Sequence, residues 1–80
     1  MKNPGGIKAF GLHLRRLREA RNLSQQQLAD LADVAKITVQ RVENAKYSIT
    51  LDVLISLAKA LKIPVGELTD FPLPKEKSHK

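Results

Sequence analysis

Apolar residues recur at helical intervals along most of the chain. Phe10, Leu14 and Leu17 follow an i, i+4, i+7 spacing, which lines one face of a helix starting at Ile7. Arg21 continues the series, while Arg15, Arg16 and Arg18 project elsewhere. Gly11 interrupts this helix at a cost of about 1 kcal/mol relative to Ala, a cost that close packing against a neighbour can offset. Asn22 is its expected stop. Ser24 then opens a second element. Its hydroxyl can accept a free N–H at a helix start, and Gln27 lies three residues on, so Ser24-Gln25-Gln26-Gln27 reads as a capping box. Leu28, Ala29 and Ala32 form its apolar stripe, and Asp33 ends it. A third short helix is expected from Lys36 to Glu43, with Val39 and Val42 inward and Lys36, Thr38, Gln40 and Arg41 outward.

Residues 44–48 carry no periodicity and read as a loop. Thr50 can cap a fourth helix whose stripe is Leu51, Leu54, Ala58 and Leu61, and Pro64 breaks that run. Residues 65–69 can form a short fifth helix. Pro4, Gly5 and Gly6 oppose helix propagation, so residues 1–6 read as a flexible arm. From Phe71 onward Pro72, Pro74 and charged side chains predict a disordered basic tail, 71–80. The expected organisation is one all-α domain over 7–70, with no strand and no internal repeat.

Composition narrows the chemistry. Eighty residues amount to one domain with a small core. Phe10, Tyr47 and Phe71 are the only aromatics, so Leu, Ile, Val and Ala must build that core. Without cysteine there is neither a disulfide framework nor a Cys-based metal site. No run approaches the roughly 20 apolar residues of a membrane span, and 1–6 lacks the apolar stretch of a secretory signal. The expected location is cytoplasmic. His13 and His79 stand alone, so no metal is expected. Ser24 and Ser48 have no His/Asp partner pattern, and no phosphate-binding glycine loop is present, so neither catalysis nor a cofactor is expected.

The formal charge is +6. Residues 7–70 hold ten Lys/Arg and seven Asp/Glu, a net of +3; the remainder lies in the terminal segments. A basic balance suits a polyanionic partner, yet basic tails alone would account for half of it.

The segment 24–43 is the informative one. Two short helices joined by Ala32-Asp33-Val34-Ala35 must cross steeply, and Asp tolerates the left-handed conformation such a turn needs. The second helix then stands out from the body, narrow enough for a DNA major groove. Periodicity by itself leaves open that Lys36, Gln40 and Arg41 form an ordinary solvated face.

Leu23-Ser24-Gln25-Gln26-Gln27-Leu28-Ala29 resembles the second-helix signature of the phage-repressor and Cro-type (Xre-like) helix-turn-helix family. Residues 32–44 resemble its turn and recognition helix, and residues 51–61 its fourth helix. The likeness spans roughly 10–69. It implies a five-helix bundle of the lambda-repressor-like type that binds double-stranded DNA as a transcriptional regulator, with repression the expected action. It puts the base-reading positions on Lys36, Ile37 and Arg41, with Thr38 and Gln40 nearby. It also implies that Gln25 contacts phosphate and orients neighbouring side chains, that Asn44 and Lys46 lie in a phosphate-binding loop, and that Arg18 and Glu43 form a partly buried salt bridge. Arg41 can pair with guanine O6 and N7, Lys36 can act as a point donor, and Ile37 can pack on a thymine methyl.

The chain departs from the family in three places. Asp33 and Ala45 stand where Gly is usual, and Ala35 stands where a Ser or Thr cap is common. A homodimer is expected, with Ile63, Val65, Leu68 and Phe71 as its candidate contact. Two alternatives remain at this point. One is an antitoxin-type protein that binds a toxin partner and its own operator; the other is a nonspecific nucleic-acid coat, against which the body charge of +3 counts.

Overall fold

The computed structural model describes residues 3–46 and 48–73. Five helices follow one another, α1 (Pro4–Ala20), α2 (Gln25–Ala32), α3 (Lys36–Glu43), α4 (Leu51–Leu61) and α5 (Val65–Leu68), and no strand occurs among the described residues. The all-α, lambda-repressor-like bundle expected from the sequence is the observed architecture.

Helix α1 starts three residues before the expected Ile7. Pro4 occupies its first turn, where the missing N–H is no loss and the fixed φ is already helical. Gly5 and Gly6 are therefore helical rather than part of an arm, and the Ile7 N–H donates to the Asn3 carbonyl at 2.9 Å. Met1 and Lys2 of the expected arm lie outside the described residues. So do Tyr47 and residues 74–80 of the expected tail. Phe71, the first residue of that tail, is half-buried and packs against Phe10 with ring centroids 5.7 Å apart and the rings tilted by 59°.

Helix α2 begins with the full capping box. The Gln27 N–H donates to Ser24 Oγ at 3.0 Å, and the Ser24 N–H donates to Gln27 Oε1 at 2.8 Å. Thr50 Oγ1 accepts from the Val53 N–H at the start of α4. Ala35 supplies no side-chain cap to α3.

The first four helices all end in one way. Asn22, Asp33, Ala45 and Lys62 adopt φ values of 57° to 59°, and none is glycine. In each case the next N–H reaches back to a carbonyl of the last turn: Leu23 to Arg18, Val34 to Ala29, Lys46 to Arg41 and Ile63 to Ala58. This is the Schellman closure, which satisfies carbonyls a helix end leaves free. Asn and Asp tolerate the left-handed region through local polar contacts, whereas Ala45 and Lys62 adopt it at a cost of roughly 1–2 kcal/mol each. Helix α4 is thus ended by Lys62, and Pro64 instead stands at the N-terminus of α5.

The core draws on all five helices: Phe10 and Leu14; Leu28, Ala29 and Ala32; Val39 and Val42; Leu57, Ala58 and Leu61; and Leu68. Two expectations are corrected here. Leu51 is 68% exposed, because it is the first residue of α4, and Leu57 takes the core position instead. Leu68, expected at a dimer contact, is fully buried, because a four-residue α5 can hold itself to the bundle only by inserting an apolar side chain. Of the other candidates for that contact, Ile63 and Phe71 pack partly against the core and Val65 is exposed.

Candidate nucleic-acid interface

The recognition helix is held from below by apolar packing and at its end by charge. Val39 and Val42 are buried on the inner face of α3. On the same side, Gly11 of α1 lets the α3 backbone approach closely. A Cβ at Gly11 would sit 2.5 Å from the Val42 carbonyl oxygen, 3.1 Å from that of Glu43 and 3.2 Å from Glu43 Cα. Only glycine fits that crossing.

The Arg18 and Glu43 side chains, 9% and 1% exposed, make the ion pair implied by the family resemblance. It is bidentate: Arg18 Nε donates to Glu43 Oε2 at 2.7 Å, and Nη2 donates to Oε1 at 3.0 Å. Arg18 Nη1 donates to the Leu23 carbonyl at 2.7 Å, which ties down the chain entering α2. The hydrogen bonds that Arg18 donates to the Glu43 carboxylate, helped by its negative charge, raise the Arg18 pKa above its ordinary value despite burial. No side-chain polar atom buried among the described residues is left without a partner. A buried pair of this kind contributes little net stability but is costly to break from one side. Its consequence is geometric: α1, the start of α2 and the end of α3 are joined at one point.

Gln25 belongs to the same cluster. It is half-buried as the first residue of α2, and its Nε2 donates to Glu43 Oε1 at 3.0 Å. The resemblance implies that Gln25 orients neighbouring side chains, but nothing in the sequence identifies Glu43 as its partner, since 18 residues separate the two and no periodicity relates them. The role of Leu23 as a carbonyl acceptor was equally invisible.

The other site residues lie along and beyond α3. Lys36, Ile37 and Arg41 are exposed, with Ile37 at 48%, and Thr38 and Gln40 are half-buried. The ion pairs among the described residues involve only Arg15, Arg18, Glu19 and Glu43, so Lys36, Arg41 and Lys46 pair with no acidic side chain among the described residues. Asn44 and Lys46 are exposed in the turn that leaves α3. That turn is closed by the Asn44, Ala45 and Lys46 N–H groups, which donate to the carbonyls of Gln40, Val42 and Arg41 at 2.9, 3.2 and 2.7 Å. Ala45 supplies here, at φ 59°, the left-handed residue for which the family generally uses glycine. Asp33 does the same between α2 and α3 at φ 57°. One face of α3 and the turn after it thus present a row of polar and basic side chains with one exposed Ile among them. No described helix is long and apolar enough to cross a membrane.

Comparison with known proteins agrees with this geometry. A helix-turn-helix family profile matches residues 14–68. The HTH-type transcriptional repressor RghR of Bacillus subtilis is 42% identical over 59 residues, covering 72% of this chain and 44% of RghR. Control protein C.SmaI of Serratia marcescens is 39% identical over 56 residues, covering 70% of this chain and 67% of C.SmaI. The chain therefore spans less than half of RghR and about two thirds of C.SmaI. Among solved structures, the restriction-modification controller protein C.AhdI from Aeromonas hydrophila superposes with a TM-score of 0.76 at 39% identity, covering 78% of this chain and 94% of that one. These relatives lend the antitoxin alternative no support. With its capped α2, left-handed turn and projecting α3, the chain belongs to the phage-repressor and Cro-type helix-turn-helix family of DNA-binding proteins.

Proposed function

We propose that this chain binds a specific double-stranded operator and regulates transcription, as a repressor working in the cytoplasm, with α3 in the major groove. The observation that carries the reading is the division of α3 into two faces. Val39 and Val42 are buried, while Lys36, Ile37 and Arg41 are exposed. In this reading Arg41 and Lys36 donate to guanine edges and Ile37 meets a thymine methyl. Thr38 and Gln40 contribute from the flanks, and Asn44 and Lys46 hold the phosphates that set the register.

One such domain covers only a few base pairs, so two copies are required for a useful site. A two-fold arrangement would set their recognition helices about 34 Å apart, one turn of DNA. The relatives' names, a transcriptional repressor and two restriction–modification or control proteins, support regulation rather than catalysis. With Leu68 in the core, exposed Val65 and half-buried Ile63 are the dimer contacts retained from the sequence reading.

The test is selection of bound duplexes from a random pool, followed by titration of the enriched sequence and a scrambled control. Specific binding should exceed nonspecific binding by at least about 10³ at physiological salt. An enriched pool with no consensus, or a selected duplex bound no better than its scramble, overturns the proposal.

A further inference from the structure

We propose that the outward face of α4 is the surface through which two copies of this chain pair, antiparallel, across a two-fold axis passing between Ile55 and Ser56. This rests on the reading of two copies on one operator and names where they meet. Leu54, Leu57, Ala58 and Leu61 turn α4 toward the core. The only polar residues of the helix are Asp52, Ser56 and Lys59, and their i, i+4, i+7 spacing sets them on the opposite face. Leu51 and Ile55 lie along one flank of that polar stripe. Leu51 is 68% exposed, and half-buried Ile55 is not among the side chains packed against the core, unlike Val53, Leu54 and Ala60. Asp52 and Lys59 are exposed, and neither pairs with a charged side chain among the described residues.

One copy thus leaves an apolar edge in water beside two unpaired charges of opposite sign. A second copy covers the edge and pairs the charges in a single register. Asp52 and Lys59 are seven residues apart, roughly 10 Å along the helix axis. An axis halfway between them brings Asp52 of each copy level with Lys59 of the other, so two ion pairs form. A parallel arrangement sets like charges against each other. A slip of one helical turn sets Asp52 against Ile63 and Lys59 against Ser56, and both ion pairs are lost. The two-fold axis also keeps each flank on its own side. Leu51 and Ile55 of both copies therefore form one apolar row along the seam, with the two Ile55 side chains next to the axis. The small Ser56 lets the backbones approach there. Helix dipoles that run in opposite directions favour the same arrangement. Ile63 and Val65, the contacts proposed above, come next in the chain after α4, and the charge register specifies what they leave open, the direction in which the copies face. The seam is short, since α4 has 11 residues, so the free protein should associate weakly and be completed on DNA, where two half-sites hold the copies together.

The experiment measures self-association by sedimentation equilibrium without DNA, for the wild type, Asp52→Lys, Lys59→Asp and the double exchange carrying both. The wild type should pass from monomer to dimer below about 1 mM. Each single reversal sets like charges together at both ends of the seam and should weaken the dimer at least about tenfold. The double exchange restores opposite charges and should return the dissociation constant to within about threefold of the wild type. Its recovery cannot come from better folding, because both exchanged charges then oppose the dipole of α4 itself. A wild type that stays monomeric throughout, single reversals that associate as the wild type does, or a double exchange as weak as the single ones overturns the proposal. If the charge pattern holds but the protein discriminates no duplex, the proposed function falls and the interface stands.

Discussion

Replacing Gly11 by Ala sets two effects of opposite sign against each other. Helix propensity alone favours Ala in the interior of α1 by about 1 kcal/mol. The crossing with α3 opposes it. The added methyl would lie 2.5 Å from the Val42 carbonyl oxygen and within 3.2 Å of two Glu43 backbone atoms. All three obstacles are backbone, so no side chain can rotate out of the way, and the helices must separate by roughly half an ångström or more. Overpacking of this sort costs about 1–3 kcal/mol. The same separation stretches the Arg18 hydrogen bonds to Glu43, now 2.7 and 3.0 Å, since Arg18 lies two turns further along α1. Hydrogen bonds to buried charges are worth about 1.5–3 kcal/mol. Sterics and the weakened pair outweigh propensity, and a net loss of about 1–4 kcal/mol is expected. A chain of this length has a total stability of about 4–12 kcal/mol, so the change is large. Urea unfolding followed by far-UV circular dichroism should show a lower midpoint with an unchanged slope. If Gly11→Ala unfolds at the wild-type midpoint or above it, the close crossing of α1 and α3 does not exist as described.

Arg41→Ala should cost about 1–3 kcal/mol on the selected duplex and little on a scrambled one, whereas Lys46→Ala should weaken both and lower the salt slope by about one unit; a titration series at several salt concentrations separates the two. Arg18→Ala strands the Glu43 carboxylate in the interior and should remove about 3–5 kcal/mol, seen as a fall in melting temperature, and an unchanged melting curve would refute the buried pair. Lys62→Gly relieves a left-handed residue at the end of α4 and should raise stability by about 1 kcal/mol in the same denaturant assay, with DNA affinity unaffected. Ala35→Ser supplies the cap that α3 lacks and should add about 1 kcal/mol, and the absence of any gain would show that the α3 N-terminus is satisfied in some other way.

The helices were legible wherever the signal was local. The Ser24–Gln27 box, the Thr50 cap and the apolar spacings of α1 to α3 each depend on residues within a turn or two of one another, and each stands in the structure as read. Errors fell where local chemistry admits two answers. Pro4 and the two glycines after it argue against a helix interior but not against a helix start, so α1 gained a turn. Leu51 matches the α4 stripe by spacing, yet the first residue of a helix can lie beyond the edge of its partners, and Leu57 satisfies the same periodicity from inside. Leu68 seemed available for a dimer because nothing local indicates that so short a helix must anchor itself inward.

The candidate site divides along the same line, and this bears on how its parts act. The exposure of Lys36 and Arg41 was legible because it follows on a short helix from the positions of Val39 and Val42, whereas Ile37 was pointed to only by family resemblance. The ion pair was legible only through family resemblance, since Arg18 and Glu43 are 25 residues apart. An orienting role for Gln25 was likewise legible only through family resemblance, and its partner Glu43 appears only in the folded arrangement, which brings the two together across 18 residues. What the sequence displays is thus the exposed face proposed for DNA; what it conceals is the set of long-range bonds that holds that face in place. In the proposed reading the base-facing side chains of α3 are therefore placed by Gly11 and by the Arg18–Glu43 pair, although neither has to touch a base.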